Sequence, residues 1–226
     1  MIQAIVFDAV GTLMHVTPSV AAVYGEVGRR FGSQLGDAEI RARFSAAFAE
    51  QDRLDESVRW RTSEARERMR WRVVVSRVFN DVVDVAGCFD VLHAAFAKPE
   101  AWTFDPEWDP VSAELERRGI RQAVASNFDR RLHGILAGLP ATQRLASIVV
   151  SSEVGHRKPA QEFFAQLIAK LQVPAADILF LGDDRTNDYD SARQAGMRAI
   201  LLDPQGKHLD VGPDRVERLA DVLNRV

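Results

Sequence analysis

Residues 2–13 read IQAIVFDAVGTL, and this stretch decides the fold. Every side chain from Ile2 to Phe7 except Gln3 is apolar, and the run stops at Asp8 and Gly11, which is the pattern of a buried strand entering a turn. A strand apolar on both faces belongs in the middle of a sheet. The signature returns at 122–125 before Ser126, at 147–150, at 178–181 before Gly182, and at 199–202 before Asp203 and Pro204. Helical periods fill the intervals at 111–118, 130–137, 163–171 and 191–195, and 215–226 reads as a closing helix. Alternation of strands and helices predicts an α/β class: a doubly wound, Rossmann-like parallel sheet, with ligands beyond the carboxyl ends of its strands.

From residue 17 to 98 the pattern changes. No strand-like run appears there, while 19–31, 37–54 and 63–79 carry amphipathic helical spacing. The expected organisation is an α/β core of residues 1–14 and 100–226, with residues 15–99 inserted as a helical lid.

The 226 residues are 46% hydrophobic and 27% charged, which excludes a disordered or low-complexity chain. Cys88 stands alone, so no internal disulfide and no CxxC pair can form, and a reduced compartment is expected. The apolar start lacks a basic leader and is cut by Asp8, so the expectation is a cytoplasmic protein without a membrane span. A formal charge of -3 provides no global field toward nucleic acid or lipid. The expected partner is a small anionic molecule, and the chain is read as a monomer or homodimer.

The residues at the strand ends carry the chemistry. Asp8, beside Gly11, is a candidate nucleophile, the alternative being an Asp that closes a turn. Asp183, Asp184 and Asp188 set three carboxylates within six residues. Two of them beside Asp8 would repel one another, and a hard divalent cation resolves that conflict. Lys158 is one of only four lysines beside 25 arginines. Its ammonium, near a helix start, would hold Asp8 ionised and neutralise an anionic substrate. Ser126 is either a phosphate donor or a strand-to-helix cap.

Taken together, VFDAVGTL (6–13), VASNFD (124–129), SSEVGHRKP (151–159) and FLGDDRTNDYDSARQAGM (180–197) resemble the four signature motifs of the haloacid dehalogenase-like hydrolase superfamily, in order and each after an expected strand. The insert is similar to the C1-type cap, and the likeness is strongest to the dehalogenase-like branch that includes rhythmically-expressed-gene-2-like members. The resemblance implies that Asp8 forms an aspartyl-phosphate with Lys158 as its catalytic partner. It implies that Thr12, Ser126, Asn127 and Lys158 bind the substrate. It also implies a Mg2+ ion on Asp8, the carbonyl of Val10 and Asp183, with Asp188 holding the site directly or through water.

One position departs from the pattern. Phosphatases of this superfamily place a second Asp two residues after the nucleophile, as the acid that protonates the leaving group, and here that residue is Val10. Three readings follow. The first is a Mg2+-dependent phosphomonoester hydrolase whose leaving group needs no proton or takes it elsewhere, with His15 and His156 as conceivable donors. The second is a 2-haloacid dehalogenase, in which halide leaves unprotonated. The third is a weakly active or non-catalytic phospholigand-binding protein. Between residues 29 and 77, 12 Arg stand against 8 Asp and Glu, and one or two of these arginines facing the cleft would select an anionic substrate.

Overall fold

A computed structural model describes residues 1–226. In chain order the elements are β1 (Ala4–Phe7), β2 (Met14–Val16), α1 (Val20–Arg30), α2 (Asp37–Ser57), α3 (Glu64–Val78), α4 (Val85–Ala95), β3 (Trp102–Phe104), α5 (Trp108–Arg117), β4 (Arg121–Ser126), α6 (Arg131–Ala137), β5 (Leu145–Val150), α7 (Ser151–Val154), α8 (Gln161–Leu171), β6 (Ile178–Gly182), α9 (Ser191–Gln194), β7 (Arg198–Leu202) and β8 (Arg215–Val216).

Six strands form one parallel sheet in the order β5-β4-β1-β6-β7-β8. The chain builds outward from β1 to β5, then returns to β6 on the other side of β1. That reversal opens a crevice at the carboxyl ends of β1, β4 and β6. All four residues of β1 are buried, and they alternate between two cores. Ile5 and Phe7 join a cluster with Trp108, Leu115, Leu132 and Ile135 from α5 and α6. Ala4 and Val6 join a second cluster with Phe163, Phe164 and Leu167 from α8. Each fully buried Leu or Phe contributes roughly 1.5–3 kcal/mol relative to leaving it in water, which is what keeps the helices on both faces.

The closing segment differs from the expected helix. Arg215 and Val216 add a short edge strand, and Leu219–Asn224 forms a 3-10 helix. Val216, Leu219 and Val222 recur every third residue and all reach the core, a spacing that three residues per turn satisfies as well as an α-helix does.

Residues 20–95 hold four helices and none of the sheet's strands. Serines cap two of them, Ser19 accepting from the Ala22 N–H and Ser63 from that of Arg66. The fourth, α4, has no counterpart in the sequence reading. Their core packs Tyr24, Ile40, Val78, Phe79, Cys88 and Phe89. The chain leaves and rejoins the sheet-bearing part through an antiparallel ribbon that pairs Met14 with Phe104 and Val16 with Trp102.

A second junction is polar. The Thr62 N–H donates to the Gly155 carbonyl at 2.9 Å, and the Arg157 N–H to the Trp60 carbonyl at 2.8 Å. Beneath it, Asp55 of α2 and Glu67 and Arg70 of α3 form a buried ion cluster with Arg157, which immediately precedes Lys158. No helix is long and apolar enough to cross a membrane.

Candidate active site

Three strand ends supply the site. Asp8 follows β1, Ser126 ends β4, and Asp183 follows β6. Lys158 reaches it from the loop between α7 and α8. Its Nζ lies 2.6 Å from Oδ1 of Asp8, 2.6 Å from Oδ1 of Asp188 and 3.1 Å from the Ala125 carbonyl. The face of Phe180 lies 5.3 Å below the ammonium. Burial works to lower the lysine pKa, but Asp188 and Asp8 outweigh it and hold the ammonium charged well above its usual range.

One oxygen from each of Asp8, Asp183 and Asp188 falls within 4.8 Å of the others. Three carboxylates therefore share one ammonium. Burial raises the Asp8 carboxyl, Lys158 pulls it back, and the negative charge of Asp183 pushes it up again. Asp188 is pushed up to about 7 by burial and by Asp8, against the pull of Lys158. Asp183 rises to about 6, through loss of water and the charge of Asp188. In all three, loss of water is the leading cause, and a neighbouring carboxylate adds to it.

The two glycines beside this cluster make room for the carboxylates themselves. A Cβ on Gly11 would overlap the carboxylate of Asp183, and one on Gly182 would overlap that of Asp188. Gly11 also has φ of +100°, a conformation L side chains rarely adopt. Asp184 caps the following turn by accepting from the Asn187 N–H at 2.8 Å, and its own N–H donates to Oδ2 of Asp188 at 3.1 Å.

Several sequence expectations change here. The Thr12 side chain is fully buried and donates to Oδ1 of Asp183 at 3.0 Å, so it orients a carboxylate and does not face the cleft. The Asn127 amide is engaged at both ends with the Lys158 backbone, accepting from its N–H at 2.7 Å and donating to its carbonyl at 2.9 Å. Its side chain fixes the lysine backbone, while Asn127 also lines the cleft with one amide N–H still free. His15 lies exposed on β2, and His156 bridges to Arg61; neither lines the cleft. None of the twelve arginines between residues 29 and 77 lines the cleft, and the most buried of them, Arg70, is bound to Asp55 and Asp52.

A cavity of about 520 Å³ opens over the site. Its floor includes Asp8, Val10, Ser126, Lys158, Asp183 and Asp188, and its walls are mostly side chains of the four-helix segment, among them Tyr24, Phe44, Phe48, Trp71, Phe89 and His93. Val10 is 39% exposed at this floor. His93 and Tyr24 escaped the sequence reading because only tertiary packing brings α1 and α4 over the strand ends.

A family model for haloacid dehalogenase-like hydrolases matches residues 2–196, a span that includes the sheet as far as β6, the helical segment and every residue of the acidic site. The chain belongs to that family. Haloacid dehalogenase-like hydrolase domain-containing protein 3 of Danio rerio is 28% identical over 230 residues, covering 98% of this chain and 95% of that protein. A phosphoserine phosphatase of Thermus thermophilus is 26% identical, covering 89% and 88%. Among solved structures, the haloacid dehalogenase-like hydrolase YfnB of Bacillus subtilis, bound to magnesium, superposes with a TM-score of 0.77 at 16% identity, covering 99% and 98%.

Proposed function

We propose that the chain is a Mg2+-dependent phosphomonoester hydrolase that passes the phosphoryl group through Asp8. The observation that carries this reading is the Lys158 ammonium wedged between Asp8 and Asp188, with Asp183 alongside. A phosphate ester could not approach three carboxylates and one ammonium without further positive charge. The donor set is all oxygen and hard, which fits Mg2+. Asp8, Asp183 and the Val10 carbonyl would hold the ion, with Asp188 beside it; both Asp188 oxygens already accept, one from Lys158 and one from the Asp184 N–H. Bound there, Mg2+ would neutralise the phosphoryl oxygens and the nucleophile together.

The chain's own residues do the rest. Asp8 attacks phosphorus, and the bond to the ester oxygen breaks. Lys158 keeps Asp8 ionised and stabilises the charge on the transferring group. Ser126, at the floor of the same cavity, would donate to a phosphoryl oxygen. Water then cleaves the aspartyl-phosphate and restores Asp8. Val10 has no proton to offer the leaving oxygen, so the preferred substrates are those whose leaving group departs as a weak base.

Residues 15–99 would act as a cap whose movement admits the small phosphorylated substrate. Haloacid dehalogenase chemistry is the second reading, and Val10 favours it, since halide needs no acid. The acidic site opposes it, because a haloacid's carboxylate would meet Asp183 and Asp188 without a counter-charge. A panel of phosphate esters and 2-haloacids, run with Mg2+ and with chelator, separates the two. Phosphate release that disappears with chelator is expected; halide release indifferent to chelator would replace this reading with the second.

A further inference from the structure

The cavity is far larger than a phosphate group requires, and its size lies in the range of pockets that enclose a whole small molecule, ~300–1,000 Å³. Its upper part is aromatic. Phe44 stacks on Phe48 at 5.9 Å and on Trp71 at 6.4 Å between ring centroids, Phe48 meets Trp71 at 6.0 Å, and Tyr24 meets Phe44 edge-on at 5.4 Å. Phe44, Phe48 and Trp71 are half-buried and line the cavity, with the Arg70 guanidinium 4.6 Å from the centroid of the Phe48 ring.

The charges around that chamber are already matched. Arg131 grips both oxygens of Asp129 through Nε and Nη2 and donates from Nη1 to the His93 carbonyl. Arg157 is held by Glu67 and Asp55, and Asp52 by Arg70. A second anionic group on the substrate, such as the carboxylate of phosphoserine, would find no cation there that is not already in an ion pair, and drawing one away would leave a buried acid unpaired.

We infer that the substrate is the phosphate monoester of an uncharged aromatic alcohol, with its ring system held by Phe44, Phe48 and Trp71 while the phosphate lies over Asp8. This rests on the proposed hydrolase reading and specifies its substrate class. The chemistry agrees with the shape. The Asp8 oxygen bonds to phosphorus, the bond from phosphorus to the aryl oxygen breaks, and the phenolate leaves with that electron pair and takes its proton from water. Water then attacks phosphorus, releasing inorganic phosphate and regenerating Asp8. A phenolate is a weak enough base to leave without the acid that Val10 cannot supply.

Two measurements on the full-length protein test this. In the first, kcat/KM with Mg2+ is compared for naphthyl phosphate, phenyl phosphate, phosphoserine and acetyl phosphate. The second ring of naphthyl phosphate should raise kcat/KM over phenyl phosphate by about tenfold, the effect of burying its apolar area. Phosphoserine should fall well below both. In the second, quenching of tryptophan fluorescence reports binding of naphthylmethylphosphonate and methylphosphonate, neither of which can turn over. The naphthyl compound should bind at least about tenfold tighter, and Phe48→Ala and, separately, Trp71→Leu should each reduce that ratio.

Equal binding of the two phosphonates, or naphthyl phosphate no better than phenyl phosphate while acetyl phosphate is hydrolysed, overturns the inference and leaves phosphomonoester hydrolysis standing. If no phosphate compound, acetyl phosphate included, is turned over, the hydrolase reading fails by itself, and the phosphonate ratio still decides whether the chamber selects an aromatic group.

Discussion

Asn127 holds Lys158 by its backbone: the amide oxygen accepts from the Lys158 N–H at 2.7 Å, and the amide nitrogen donates to the Lys158 carbonyl at 2.9 Å. Both groups of one planar side chain thus fix the position of one residue. The ammonium of that residue must meet two carboxylates at 2.6 Å, and such geometry tolerates little displacement.

Asn127→Ala should therefore lower kcat on aryl phosphates by roughly ten- to a hundredfold, the cost of misplacing a charged group by about an ångström. KM should move far less, because the aromatic chamber is untouched. Steady-state kinetics on phenyl phosphate check the split, and an effect confined to KM would show that Asn127 contacts the substrate after all.

Gly11→Ala places a methyl group where the Asp183 carboxylate lies, on a backbone with φ of +100°. The fold should lose about 1–3 kcal/mol, and the Mg2+ concentration that half-saturates its stabilising effect should rise by about tenfold or more. Thermal melts across a Mg2+ titration measure both. An unchanged midpoint concentration would detach Gly11 from the metal site.

Asp55→Asn tests the buried ion cluster. Asp55 accepts from Arg66 and Arg70 and is 2% exposed, so neutralising it strands buried charge and should cost about 3–5 kcal/mol in urea denaturation. The pair of Arg77 with Glu50 is 60% and 39% exposed, and Glu50→Gln should cost no more than about 1 kcal/mol. Similar losses from the two substitutions would contradict the burial argument.

Val10→Asp restores a carboxylate at a floor position that is already 39% exposed. Activity on an alkyl phosphate such as glycerol phosphate should rise by about ten- to a hundredfold, and activity on phenyl phosphate much less. Equal gains on both would mean that protonation of the leaving group does not limit the natural chain.

Five of the sheet's six strands were readable because each is a short apolar run ended by polar residues, as in residues 2–13; β8, only two residues long at the sheet edge, was not. Helix α4 left no trace either: VAGCFDVLHAA has few polar positions with which to mark an outer face. Ribbon strands β2 and β3 are three residues each, too short for a period to register. Within the site, Asp8, Lys158, Asp183 and Asp188 were readable as residue types at strand ends. The duties of Thr12 and Asn127 were not, because each depends on a partner 171 or 31 residues away. The arginine surplus misled for a related reason, since composition counts charges and does not say which of them face the cleft.

Whether Asp8 accepts the phosphoryl group is tested most directly by mass spectrometry of the protein quenched in acid during turnover of phenyl phosphate with Mg2+. A phosphoryl group on the peptide that carries Asp8, absent in Asp8→Asn and absent when Mg2+ is chelated, is the predicted result. Turnover with no label at Asp8, or Asp8 esterified instead by the carbon skeleton of a 2-haloacid without any metal, would contradict it.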